Sequence, residues 1–209
     1  MPEVLSRPPS KIVCVGSNYR SHAVEMGREV PTHPRLFLKP PSALRGPGEA
    51  ICVPTDCGRV DHEAELAVVL GRRASDVSVD DAMDYVAGFT AANDVTARTI
   101  QAEEGIFTRA KGFDSFCPVG PRVVPGLDPS ALVVACRVNG ETRQEGTTSD
   151  LVFSVPVLIS FISGFMTLEA GDLLLTGTPM GVGPLQPGDV VEVEIEGIGV
   201  LSNPVVARS

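Results

Sequence analysis

Apolar residues in this chain fall in short blocks, punctuated by glycine and proline. The block that organises the rest runs Asp61-His62-Glu63-Ala64-Glu65-Leu66-Ala67-Val68-Val69-Leu70-Gly71. It starts charged, becomes continuously apolar and closes on glycine, which predicts one strand. Alternation along that strand puts Glu63 and Glu65 on one face, about 6–7 Å apart at the backbone. Two neighbouring carboxylates at the head of a buried strand repel, and burial raises the cost of each charge. A divalent cation would offset that cost, and ligands that are all oxygen point to Mg²⁺ or Mn²⁺. An exposed strand end with two solvated glutamates is the simpler alternative.

The remaining blocks predict an α+β chain dominated by strands. Lys11 to Gly16, Leu36 to Lys39, Ala50 to Val53, Tyr85 to Asn93, Leu173 to Thr176, Val190 to Ile195 and Ile198 to Val206 read as strands. Val133 to Val138 and Glu141 to Glu145, joined by Asn139-Gly140, predict a hairpin with a favoured two-residue turn. Helices are expected over Asn18 to Met26 (capped by Ser17 or Asn18, stopped by Gly27), Val79 to Asp84, Val95 to Glu104 and Val152 to Met166. Ala110 to Val124 reads as extended and irregular. Neither a repeat nor a linker interrupts the pattern, so one β-rich domain over 1–209 is expected.

Composition narrows the function classes. The 209 residues are 43% hydrophobic and 21% charged, an ordinary globular balance. A formal net charge of −9 argues against nucleic acid or an anionic membrane surface as partner. No apolar run has the length of a membrane span, and the N-terminus does not read as a signal peptide, so a cytoplasmic protein is expected. Five cysteines without a CxxC motif suit reduced, buried thiols. The three histidines have no zinc-ligand spacing with them.

Candidate chemistry sits where strands end. Asp94 closes the Tyr85 to Asn93 strand, as a helix cap or as a third carboxylate ligand. The helix after it would carry Arg98 and Gln101 on one face, suited to a polar anion. His22 and Glu25 are i,i+3 neighbours, and a carboxylate on an imidazole fixes its tautomer and raises its basicity. Such a pair can activate a water, or it can be an ordinary surface contact. Lys111, one of three lysines in the chain, would stabilise a carboxylate or a developing oxyanion, or simply lie at the surface. In Leu175-Thr176-Gly177-Thr178-Pro179, glycine lets backbone N–H groups approach an anion, and Thr178 adds a hydroxyl. The spacing is neither a Walker A loop nor a dinucleotide fingerprint, which excludes nucleotide binding by those motifs.

Several of these blocks occur together in one order. Cys14-Val15-Gly16-Ser17-Asn18-Tyr19, His62-Glu63-Ala64-Glu65-Leu66, Asn93-Asp94-Val95-Thr96-Ala97-Arg98, Lys111-Gly112-Phe113-Asp114-Ser115-Phe116-Cys117-Pro118 and Leu175-Thr176-Gly177-Thr178-Pro179 resemble the fumarylacetoacetate hydrolase family. Asn139-Gly140-Glu141 with Gln144, and Phe153-Ser154-Val155-Pro156, extend the likeness over about 11–206. It is most similar to the short acylpyruvase branch, without the extra N-terminal domain of longer members. The resemblance implies a mixed β-sandwich roll with a few short helices, and a homodimer. It implies Glu63, Glu65 and Asp94 as Mg²⁺ or Mn²⁺ ligands, and His22 with Glu25 as a water-activating dyad on a lid segment. Lys111 falls at a catalytic position, and Arg98, Gln101, Gly177 and Thr178 fall at substrate-binding positions. The expected reaction is hydrolysis of a C–C bond in a 2,4-dioxo acid, giving pyruvate and a carboxylic acid. Oxaloacetate decarboxylation and isomerisation of 2-hydroxyhepta-2,4-diene-1,7-dioate in aromatic catabolism share its enolate chemistry and stand as alternatives. A catalytically silent metal-binding protein is the alternative of another class.

Overall fold

The structure, a computed structural model, describes residues 2, 5–25, 27 and 29–208. In chain order the strands begin with β1 (Ile12–Gly16), β2 (Arg35–Lys39), β3 (Leu44–Arg45), β4 (Ile51–Val53), β5 (Val60–His62), β6 (Ala64–Leu70), β7 (Val86–Asn93) and β8 (Thr96–Ala97). They continue with β9 (Cys117–Val124), β10 (Val133–Val138), β11 (Glu141–Thr147), β12 (Leu173–Leu175), β13 (Gly183–Leu185), β14 (Val190–Ile195) and β15 (Gly199–Ala207). Among the described residues four short α-helices lie between them: α1 (Arg20–Glu25), α2 (Arg98–Glu104), α3 (Phe107–Lys111) and α4 (Val155–Ser163). No helix among the described residues is long and apolar enough to cross a membrane.

The strands form three sheets, ordered β2-β1-β12-β6-β7-β9-β3, β11-β10-β14-β15-β4 and β13-β5-β8. β6 is buried along its whole length at the centre of the first sheet, which is why its sequence is apolar throughout instead of alternating. Its two faces serve two cores. Leu66, Val68 and Leu70 pack into a cluster with Val134 and Val193 of the second sheet and Leu158 and Ile162 of α4. Ala67 and Val69 join Ile12, Cys14, Leu173 and Leu175 on the other side. Glu65 shares the face of Ala67 and Val69, so its carboxylate enters at the open end of the smaller core. Asp172 fastens the N-terminal segment below that core. It accepts hydrogen bonds from Ser10 N (2.7 Å) and Glu169 N (2.8 Å), and it pairs with Lys11 Nζ at 2.6 Å.

The structure corrects six expectations. The strand expected over Asp61 to Gly71 is broken at Glu63. There the Glu63 N–H donates to the Asn93 side chain (3.0 Å), outside any ladder, and the chain passes from the three-stranded to the seven-stranded sheet. The helix expected from Val95 begins only at Arg98, because Thr96 and Ala97 pair with Asp61 and Val60 as β8. Asp94 therefore caps no helix. The stretch read as irregular from Ala110 holds the end of α3 and all of β9. Asn18 does not cap α1. Its side chain donates to Phe153 O and Thr176 O and accepts from Phe153 N, tying the start of α1 to two distant segments. Met26, the expected end of the first helix, lies outside the described residues. Gly27 stops it as expected, with φ +62°. The helix expected over Val152 to Met166 shortens to α4. The one expected over Val79 to Asp84 is a 3₁₀ turn at Ala82–Tyr85. The Asn139-Gly140 hairpin forms as expected, with φ 53° and 81° in its turn.

Candidate active site

Glu63 and Asp94 stand at the two places where the chain crosses between the same pair of sheets. Glu63 separates β5 from β6, and Asp94 lies between β7 and β8. The crossings face each other, because Asp94 N donates to Glu63 O at 2.8 Å. Glu65 follows one strand pleat later. One oxygen from each of the three carboxylates lies within 4.8 Å of the others, and all three side chains are buried.

Cations surround this trio. Lys111 Nζ, at the end of α3, lies 2.8 Å from Glu63 Oε2 and 2.6 Å from Asp94 Oδ2. Lys39 Nζ, fully buried at the end of β2, lies 2.5 Å from Asp94 Oδ1 and donates to Val95 O at 3.2 Å. Arg98 forks between Glu63 Oε1 (2.5 Å) and Asp61 Oδ2 (2.9 Å), and its third nitrogen donates to Gln101 Oε1 at 2.6 Å. Asp61 also holds Arg59 Nε at 2.6 Å. Among the described residues Glu65 has no such partner: its Oε2 accepts a hydrogen bond from Gly177 N at 2.6 Å.

The two glutamates consequently titrate in opposite directions. Burial works to raise Glu63, but Lys111 and Arg98 outweigh it and hold the carboxyl below the usual carboxylate range. Burial, then the charges of Asp94 and Glu63, push Glu65 well above that range. Lys111 is held protonated. Burial opposes its charge, but Asp94 and Glu63 raise its pKa above the ordinary lysine value. Three buried carboxylates, one of them with its pKa raised by burial and by the other two, fit a hard divalent cation. These residues could hold a metal ion.

α1 supplies one wall of the site. His22 is buried, and its Nδ1 lies 2.9 Å from Glu25 Oε2. Glu25 Oε1 accepts from Gly181 N at 2.9 Å, so the pair is anchored to the loop after β12. The expected dyad is present as a contact. Its acceptor carboxylate places the proton on Nδ1 and leaves Nε2 as a base. Thr178, in the same loop, is fixed by Gln144, whose Nε2 donates to Thr178 Oγ1 (2.8 Å) and Pro179 O (2.9 Å). The other end of Gln144 accepts from His62 Nδ1 (2.9 Å) and Ala64 N (3.0 Å), which joins that loop to the head of the carboxylate strand.

A cavity of about 60 Å³ opens over the trio. Its walls carry His22, Glu63, Glu65, Asp94, Arg98, Gln101, Lys111 and Thr178, so eight of the ten residues expected from sequence meet in one place. Glu25 and Gly177 stand one layer back, Glu25 behind His22 and Gly177 with its N–H spent on Glu65. Gly177 is thus a support for a carboxylate rather than a free donor to an anion. Lys39, Asp61 and Arg35 went unsingled in the sequence, and Gln144 was noted only within the resemblance. Arg35 lines the mouth of the cavity with Gly16, Phe37 and Phe107.

Residues 11–206 match the family profile described as fumarylacetoacetate (FAA) hydrolase, C-terminal. The chain belongs to the fumarylacetoacetate hydrolase family. Solved structures from this family share the fold. One is described as a 2-hydroxyhepta-2,4-diene-1,7-dioate isomerase from Mycobacterium marinum (46% identity, TM-score 0.91, 98% of this chain and 77% of that one). A second is described as a 5-carboxymethyl-2-hydroxymuconate delta-isomerase from Mycobacterium smegmatis (46% identity, TM-score 0.92, 99% of this chain and 82% of that one). Among curated relatives, the oxaloacetate tautomerase YisK of Bacillus subtilis is 43% identical, over 96% of this chain and 71% of its own length. Members of the fumarylacetoacetate hydrolase family are enzymes, and hydrolase, isomerase and tautomerase are all named among them. The acylpyruvase branch expected from sequence is not singled out by these relatives.

Proposed function

We propose that this chain is a divalent-metal-dependent enzyme that moves a proton at the carbon beside the carbonyl of a 2-oxo acid, interconverting keto and enol forms. The observation that carries this reading is the opening of His22, backed by Glu25, and the carboxylate trio onto one cavity. A Mg²⁺ or Mn²⁺ ion held by Glu63, Glu65 and Asp94 would supply Lewis-acid stabilisation of the enolate charge. His22 takes the C3 proton on Nε2, and Glu25 stabilises the imidazolium through Nδ1–H. The same nitrogen returns the proton to the enolate oxygen, which completes the tautomerisation. Arg98 keeps Glu63 ionised, and the Gln144 bridge holds Thr178 toward the substrate space. Relatives named as oxaloacetate tautomerases and dienedioate isomerases support this proton-transfer reading over a purely hydrolytic one.

A second reading, hydrolysis of a 2,4-dioxo acid, is favoured by Lys111. Its ammonium, which carries three donors, contacts two carboxylates and also lines the cavity, where an oxyanion would develop. His22 Nε2 would then deprotonate water in place of carbon. A homodimer in the reducing cytoplasm belongs to this proposal, and the five unpaired thiols agree with that compartment.

The experiment is a substrate panel with purified protein and Mg²⁺: oxaloacetate, acylpyruvates and 2-hydroxy-2,4-dienedioates. Enol absorbance, CO₂ and pyruvate are followed in parallel. Metal-dependent loss of oxaloacetate enol without CO₂ or pyruvate is the expected result. No metal-dependent conversion of any member would remove the reading. Pyruvate release from acylpyruvates alone would select hydrolysis.

A further inference from the structure

β2 runs past the cavity, and alternation puts Arg35, Phe37 and Lys39 on one face. Lys39 lies beneath the cavity floor, behind Asp94 and paired with it. Phe37 is next, its ring centroid 5.0 Å from Lys111 Nζ and 5.3 Å from that of Phe107 in an edge-to-face contact. Arg35 is at the mouth and exposed. The row is therefore cation, apolar wall, cation, read outward.

The outer cation differs from the others. Lys39, Lys111 and Arg98 are each bound to a carboxylate of the site. Arg35 makes no ion pair or side-chain hydrogen bond among the described residues, although it lines the same cavity. A guanidinium left without an acceptor at the rim offers two parallel N–H donors to a planar anion. The aromatic pair between rim and floor leaves a short stretch suited to carbon, not to charge. A ligand that matches has a 2-oxo carboxylate at the inner end, a short carbon spacer and a second carboxylate outside.

We propose that Arg35 binds the distal carboxylate of a 2-oxo dicarboxylic acid and selects diacids over monoacids. This rests on the proton-transfer reading above and names its substrate class. Arg35 is a specificity residue. It touches the far end of the substrate and takes no part in moving the proton.

The test is calorimetric titration of the Mg²⁺-loaded protein with 2-oxoglutarate and 2-oxopentanoate, which differ by the distal carboxylate. Wild type is expected to prefer 2-oxoglutarate. Arg35→Gln is expected to lose about ten- to a hundredfold on 2-oxoglutarate and less than about twofold on 2-oxopentanoate. Arg35→Lys keeps the charge but not the fork, and is expected to fall between. Because Arg35 is exposed, its variants should melt with the wild type. Equal losses on both acids, or no loss on either, would overturn the assignment. Wild type that binds both acids equally would overturn it while leaving the proton-transfer reading intact. Wild type that binds neither would remove both.

Discussion

Lys39 and Asp94, 55 residues apart in the chain, meet at 2.5 Å in the buried floor of the site. The pair has no solvent to screen it, so neither charge is tolerable alone. Lys39→Met should lower stability by about 3–5 kcal/mol, the usual consequence of leaving one partner of a buried pair uncompensated. A divalent cation would replace the missing positive charge. Added Mn²⁺ should therefore raise the melting temperature of the variant more than that of wild type. Equal shifts would mean that Asp94 does not meet the ion.

Glu65 makes metal affinity depend on pH. Burial and two neighbouring carboxylates raise its pKa above the ordinary 4.5, so between the two values the metal-free fold holds a proton there that the unfolded chain has lost. Taken alone, this group's contribution to metal-free stability falls as pH rises from about 4.5 through the raised value. A bound cation expels that proton, so affinity should climb with pH over the same window, with release of about one proton per ion. Calorimetry in buffers of different ionisation enthalpy counts it. Glu65→Gln should abolish the release, and a wild-type count of zero would contradict the argument.

His22→Ala should lower turnover of the best substrate in the panel by about 10²–10⁴-fold, the usual worth of a general base. Glu25→Gln keeps an acceptor for Gly181 N but removes the charge that favours imidazolium. It should lower turnover by about tenfold or more, while Mn²⁺ affinity stays near wild type. Unchanged turnover would reduce Glu25 to an anchor for α1.

Asp172 governs acid stability at a distance from the chemistry. Burial would raise its carboxyl, but Lys11, Glu169 N and Ser10 outweigh that and hold it below 3.8. The stabilisation is present above about pH 4 and lost as pH falls through the depressed value. Asp172→Asn should cost roughly 2–3 kcal/mol in urea unfolding at about pH 7 and much less at about pH 3. A pH-independent cost would assign the effect to packing.

What could be read from the sequence followed the reach of its periodicities. A period of two put Glu63 and Glu65 side by side, and they do meet although Glu63 stands at the break between β5 and β6; a spacing of three found His22 with Glu25 on one helix turn. Lys39 escaped because its partner is set by sheet order: β2 reaches Asp94 only through β1, β12, β6 and β7 packed in that sequence. A lysine closing Leu36-Phe37-Leu38 before Pro40-Pro41 looks like a solvated strand end. The clue was that Arg35 and Lys39 are in phase with Phe37. The false helix at Val95 has a similar cause. Ala97 favours helix and Thr96 favours strand, and pairing with β5 decides between them. The break at Glu63 left no mark either, since no glycine or proline interrupts the run from Val60 to Leu70.

The placement of Glu63 and Asp94 at paired crossings has a mechanical consequence. Each belongs to neither sheet and adjoins both, so one cation gripped by the two would act as a rivet through the seam. Amide hydrogens of β5 and β8 should then exchange at the pace of those in β6 and β7 once the ion is seated. Without it, the small sheet is free to breathe on its own, and the substrate chamber, built across the seam, would breathe with it.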